Sequence, residues 1–120
     1  MTKLVLPLLL LGMTADVKYV KTVDHVEVGG VRLLTLRGRT AEERADVIAG
    51  RLPNLLSPNL KADDVVLEDH KYGKLVKVNG QLLVTLTPKD AKENKSSLND
   101  FSASTLEHLK SVLPDIAPEK

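Results

Sequence analysis

The stretch Val26-Glu27-Val28-Gly29-Gly30-Val31-Arg32-Leu33-Leu34-Thr35-Leu36 returns fifty residues later as Val76-Lys77-Val78-Asn79-Gly80-Gln81-Leu82-Leu83-Val84-Thr85-Leu86. Six of the eleven positions are identical: Val26/Val76, Val28/Val78, Gly30/Gly80, Leu33/Leu83, Thr35/Thr85 and Leu36/Leu86. Each copy is a run of strand formers broken by Gly-Gly or Asn-Gly, the strongest short signal for a tight hairpin. Gly29, Gly30, Asn79 and Gly80 therefore read as structural turn residues, chosen for backbone shape. A two-residue loop sets the register. It places Val28 opposite Val31, Glu27 opposite Arg32 and Val26 opposite Leu33.

Helices follow both copies. Thr40 and Glu43 form a Ser/Thr-x-x-Glu capping-box pattern. Ala41, Ala45, Ile48 and Leu52 then recur at helical spacing, and Pro53 is expected to stop the helix. Residues 53–64 read as a connector. The second copy is preceded by Val65-Val66-Leu67 and a turn containing Gly73, which makes it part of a three-strand meander. Thr87-Pro88-Lys89-Asp90 is a helix start with Pro at the first helical position. A last helix is expected over 98–113, opened by Ser97 with Asp100 and ended by Pro114. Residues 16–23 read as a further strand. The expected fold is α+β: a small two-layer sandwich with an antiparallel sheet of about five strands and two helices on one face. It is built from two hairpin–helix repeats, about 16–60 and 61–120, within a single domain over 16–120.

Composition narrows the function classes. The chain has 120 residues, a formal charge of +1, no Trp, no Cys and 2% aromatics. The core must be aliphatic. Without cysteine there is no disulfide, thiol nucleophile or Cys-ligated metal. Near-neutral charge and missing aromatic platforms argue against nucleic acid as a partner. Lys3 followed by a leucine-rich run and the small residues Gly12, Thr14 and Ala15 has the layout of a signal peptide over 1–15. That run is too short for a stable membrane span. The expected compartment is periplasmic or secreted; if the run is a core strand instead, it is cytoplasmic.

The first hairpin with its Thr40-Ala41-Glu42-Glu43-Arg44-Ala45 helix start, and the later Val78-Asn79-Gly80-Gln81-Leu82-Leu83-Val84-Thr85-Leu86-Thr87 with Asp90-Ala91, resembles a known family. It is the extramembrane N-terminal domain of cyanobacterial-type small-conductance mechanosensitive channels. The resemblance covers about residues 26–113. The family tends to carry a tryptophan in the last helix, near the position of Thr105 here. With no channel segment in these 120 residues, the resemblance implies a freestanding accessory domain and carries no catalytic residue over.

The reactive residues form no strong constellation. His25, His70 and His108 are scattered; their only adjacent acids are Asp69 and Glu107, and on a strand Asp69 and His70 point to opposite faces. No metal site and no cofactor are expected. The serines sit at loops and helix starts, where hydroxyls cap backbone donors. Asp63-Asp64 and Glu68-Asp69 fall where solvated turns are expected, so no acid–base pair is assigned. Arg32, Arg37 and Arg39 are a candidate anion patch. Both faces of each hairpin carry apolar residues and two helices cover only one, so the second face needs the N-terminal segment, the 53–64 connector or another molecule, and an exposed apolar patch there would mark an interaction site. The expected function is therefore a non-enzymatic protein-interaction or accessory module, a homodimer through the sheet being one form. The alternative is an anion or small-ligand sensor built on the arginine-bearing hairpin.

Overall fold

Both copies of the repeat form hairpins in the computed structural model, which describes residues 19–21, 25–28 and 30–118. The first copy supplies β2 (His25–Val28) and β3 (Val31–Thr35), with β1 (Tyr19–Lys21) alongside β2. The second supplies β5 (Gly73–Val78) and β6 (Gln81–Leu86), with β4 (Val65–His70) alongside β5. All pairings are antiparallel. Asn79 (φ 53°) and Gly80 (φ 80°) are both left-handed, the geometry of a type I′ hairpin loop. Gly30 has φ 83° in the matching place, and Gly29 lies outside the described residues. Residues 1–15, which the sequence pattern suggests as a signal peptide, lie outside them too.

The register departs from simple alternation at one repeated point. Val28 faces Val31 and Glu27 faces Arg32 as expected, but Val26 faces Leu34 and not Leu33. Likewise Lys77 faces Leu82 while Val76 faces Val84. Leu33 and Leu83 are thus the extra residues of two β-bulges at equivalent positions. A bulge sets two residues against one and lets neighbours point to the same side. Leu33 with Leu34, and Leu83 with Val84, are all buried. Leu36 and Leu86 follow them inward. The apparent second apolar face therefore shrinks: the bulge turns Leu34, Leu36, Val84 and Leu86 back into the core.

Helix α1 (Ala41–Leu55), a short α2 (Pro88–Glu93) and α3 (Leu98–Ile116) complete the fold. The inner sides of both sheets share one aliphatic core with Ala41, Ala45, Ile48, Leu52 and Leu55 of α1 and Leu109 and Leu113 of α3. The α+β class is as expected, but the strands divide into two three-stranded sheets among the described residues, not one sheet of about five. The reason lies at the edges. Helix α1 packs along β6, and α3 packs along β3. Each hairpin's outer strand meets a helix of the other half, so the two strands cannot pair with each other.

Local signals worked where a side chain could reach its backbone target. Thr87 and Asp90 form a reciprocal capping box at α2, and the Asp100 backbone N–H donates to the Ser97 hydroxyl at α3. The Thr40 box does not form. Thr40 has φ −102° and ψ 10°, and the Ala41 N–H donates instead to the Gly38 carbonyl in the preceding turn. Neither proline stops its helix. Pro53 and Pro114 lie within the last turn of α1 and α3, where little of the hydrogen-bond ladder remains to lose. Buried Leu55 and Leu56, and partly buried Ile116 and Ala117, anchor the chain just beyond each. Gly73 is the first residue of β5 and not part of the turn; a Cβ there would come within 2.0 Å of the Leu86 carbonyl oxygen.

Candidate functional site

Arg44 and Arg51 lie two turns apart on α1 and reach over the outer edge of β6. Arg51 donates to the carbonyl of Leu83, the bulged residue, at 2.9 Å. Arg44 donates to the Thr85 carbonyl at 3.0 Å and to both carboxylate oxygens of Asp90 at 2.6 and 2.9 Å. Asp90 is 3% exposed and also accepts from the Thr87 backbone N–H. Burial alone would raise the Asp90 carboxyl. The Arg44 hydrogen bonds and charge and the Thr87 contacts outweigh it and hold the group below its ordinary range. Arg44 is raised correspondingly, chiefly by its bond to Asp90. This pair joins the first half's helix to the second half's sheet and α2. Both groups are satisfied by each other and by backbone, so the pair is a joint, not a reactive centre.

The outward sides of the sheets differ. In the first sheet, His25, Glu27, Arg32 and Thr35 occupy the outer positions, and His25 lies 2.5 Å from Glu27. The repeat-equivalent positions in the second sheet are Leu75, Lys77, Leu82 and Thr85. Lys77 sits between Val66 of β4 and Leu82 of β6, and Leu75 sits between Glu68 and Thr85. Val66 is 43% exposed; Leu75 and Leu82 are partly exposed. Glu68 and Lys77 are ion-paired at 3.0 Å across this face. The result is a small apolar patch of Val66, Leu75 and Leu82 holding one acid and one base.

The residues singled out from the sequence scatter. Arg32 is at the hairpin end of β3, whereas Arg37 and Arg39 lie beyond its other end. Arg37 lies five positions after Arg32, just past the end of β3, roughly 16 Å at the usual rise. The three do not form one patch. Glu27, which faces Arg32 in register, has its ion pair with His25. The Nε2–H of His108 donates to the Arg32 carbonyl at 2.6 Å, and His70 lies against Tyr72 in the β4–β5 turn. Among the described residues, no three His, Asp or Glu side chains gather to hold a metal ion. The Asn79 N–H and side chain bond Asp64 and Ser57, tying that turn to the connector. A shallow, open concavity of about 560 Å³ between the β4–β5 turn and the start of α3 is lined by His70, Tyr72, Pro88 and Asn99.

Sequence reasoning missed the Arg44–Asp90 joint and the leucines that the second hairpin carries at outward positions where the first has His25 and Arg32. Arg44 and Arg51, seven apart beside the Ala45–Ile48–Leu52 stripe, were the available hint for the first. For the second, the hint was the set of non-identical positions in the repeat.

The molecule is thus a two-hairpin α+β module whose arginine-bearing helix locks its halves together. Residues 25–115 match the family model described as a domain of unknown function, DUF8459, and the chain belongs to that family. No curated protein and no solved structure matches it. Among the described residues no helix is long and apolar enough to cross a membrane.

Proposed function

We propose that this is a non-enzymatic protein-binding module that docks through the outer face of the second sheet. One observation carries the reading. The repeats keep inward Val26/Val76, Val28/Val78, Leu33/Leu83 and Leu36/Leu86 identical, yet outward His25 and Arg32 of the first sheet are replaced by Leu75 and Leu82 in the second. Aliphatic side chains left at a solvent-facing sheet surface contribute little to folding and mark interaction sites when they cluster. The resemblance to a channel ectodomain also fits an accessory role, and the signal-like segment over 1–15 fits a periplasmic or secreted location.

The test uses tagged protein in an envelope extract of the source cells, with an untagged copy of the chain added. Wild type is compared with a Leu75→His/Leu82→Arg variant, which gives the second face the first face's residues, and with an Arg32→Ala control. A protein retained by wild type and control but lost by the double variant supports the reading, whether it is the untagged copy or another chain. Identical capture by all three overturns it.

A further inference from the structure

We infer that the occupant of this face is a second copy of the chain, in a weak two-fold dimer. The inference rests on the docking reading above and deepens it. Its basis is the placement of charge. A closed dimer is isologous: the same patch lies on both sides and must complement itself. The Val66–Leu75–Leu82 patch carries one acid and one base on the same face, Glu68 and Lys77, with Glu68 53% and Lys77 27% exposed. Turned against itself about a two-fold axis, the face sets Lys77 of each copy toward Glu68 of the other. Val66 and Leu75, on the other diagonal of the same four residues, then meet their copies near the axis, with Leu82 flanking them. A partner presenting a single sign of charge would satisfy one of these groups and repel the other.

The area sets the strength. Three strands of six residues span roughly 20 Å by 14 Å at ordinary strand spacings, or about 300 Å² from each copy. The total of about 600 Å² is well under the roughly 1,200 Å² of a stable interface, so the association is transient. A dissociation constant at or above about 1 µM is expected, since even interfaces near 1,600 Å² reach only that value when their anchors are poor.

Sedimentation velocity from low micromolar to millimolar concentration, paired with amide NMR spectra over the same dilution, tests the inference. A concentration-dependent dimer is expected, with shifts centred on Val66, Glu68, Leu75, Lys77 and Leu82. Leu82→Arg should abolish it while leaving the unfolding midpoint in place. Glu68→Lys and Lys77→Glu should each weaken it by more than tenfold. Mixing those two variants should restore it, because each then offers the charge the other lacks. That rescue occurs only between molecules, so it separates an interface from the ion pair within one chain. A monomer at every concentration, shifts centred elsewhere, or no rescue on mixing overturns the inference. If the chain stays monomeric while the extract experiment still shows a protein lost by the double variant, the docking reading stands and the second copy is the wrong occupant. If that experiment also shows no difference, both fall.

Discussion

The two hairpins are alike inside and different outside. Val26, Val28, Leu33 and Leu36 of the first sheet have identical, buried counterparts in Val76, Val78, Leu83 and Leu86 of the second. Even the bulge falls at the same step. Of the four outward pairs, only Thr35/Thr85 is kept. Packing against one shared core explains the first set, because a lost methylene leaves a cavity. No such constraint acts on the outer positions, so what stands there reflects what each face meets. At these described positions the first face carries His25, Glu27 and Arg32, of which only Arg32 is exposed; the second carries leucine, partly exposed.

The largest effects should come from the shared inner set and should be equal in both halves. Leu33→Ala and Leu83→Ala each delete a fully buried side chain at a bulge, and each should cost about 3 kcal/mol in urea unfolding. A difference of more than about 1 kcal/mol between them would show that the two bulges are not equivalent supports.

Next comes the joint between the halves. Asp90→Ala leaves the half-buried Arg44 without its carboxylate and should cost about 2 kcal/mol; Arg44 is partly exposed, so solvent reduces the roughly 3–5 kcal/mol of a fully buried pair. The pH dependence has a definite sign. The folded Asp90 carboxyl is depressed, so its stabilising contribution is complete above the ordinary carboxylate range. It is lost as pH falls through the lower folded value. Thermal unfolding followed from neutral to acid pH should therefore show a steep loss below about pH 4 that Asp90→Asn flattens. Little change from this group is expected between neutrality and pH 5.

Helix starts give a smaller contrast. Thr87→Ala removes a hydroxyl that accepts the Asp90 N–H and should cost about 1 kcal/mol. Thr40→Ala removes no such bond and should fall within about 0.5 kcal/mol of wild type. Chemical denaturation of the two variants side by side reads the difference directly.

What the sequence disclosed follows the range of the forces involved. The Asn79-Gly80 turn, the Thr87 and Ser97 caps and the inward stripes of α1 and α3 are set by residues within a turn of each other, and they were legible. The bulges were not, because strict alternation assigns neighbouring residues to opposite faces. Within the apolar doublets Leu33-Leu34 and Leu83-Val84, alternation puts Leu34 and Val84 on a second apolar face. The Thr40 box failed because the turn at Gly38 holds Thr40 at φ −102° and ψ 10°, outside the extended conformation from which an N-cap hydroxyl reaches the Glu43 N–H. Arg44 and Asp90 are 46 residues apart, beyond any local rule. The division into two sheets depends on which helix reaches which edge, which is decided only when the halves meet.

The contrast between the outer faces can also be run in the opposite direction, with the smallest effect on the fold. His25→Leu/Arg32→Leu gives the first sheet the residues of the second. It removes the partly buried His25–Glu27 pair and leaves every inward residue in place, with leucine refilling the space at position 25, so the unfolding free energy should move by about 1 kcal/mol. Association should change far more. If exposed leucines at these two positions are enough to make a docking face, the variant carries two such faces, and sedimentation should show species larger than a dimer as concentration rises. If instead the opposed charges of Glu68 and Lys77 are needed to orient the copies, the new face is only sticky. It has Glu27 between its leucines and, among the described residues of that face, no base left to answer it, so the variant should sediment as wild type does. The second outcome is the one the self-complementary pair requires. Adding Glu27→Lys to the variant tightens the test, since it reproduces the second sheet's central row but still lacks a Glu68 equivalent supplied by a β4 strand.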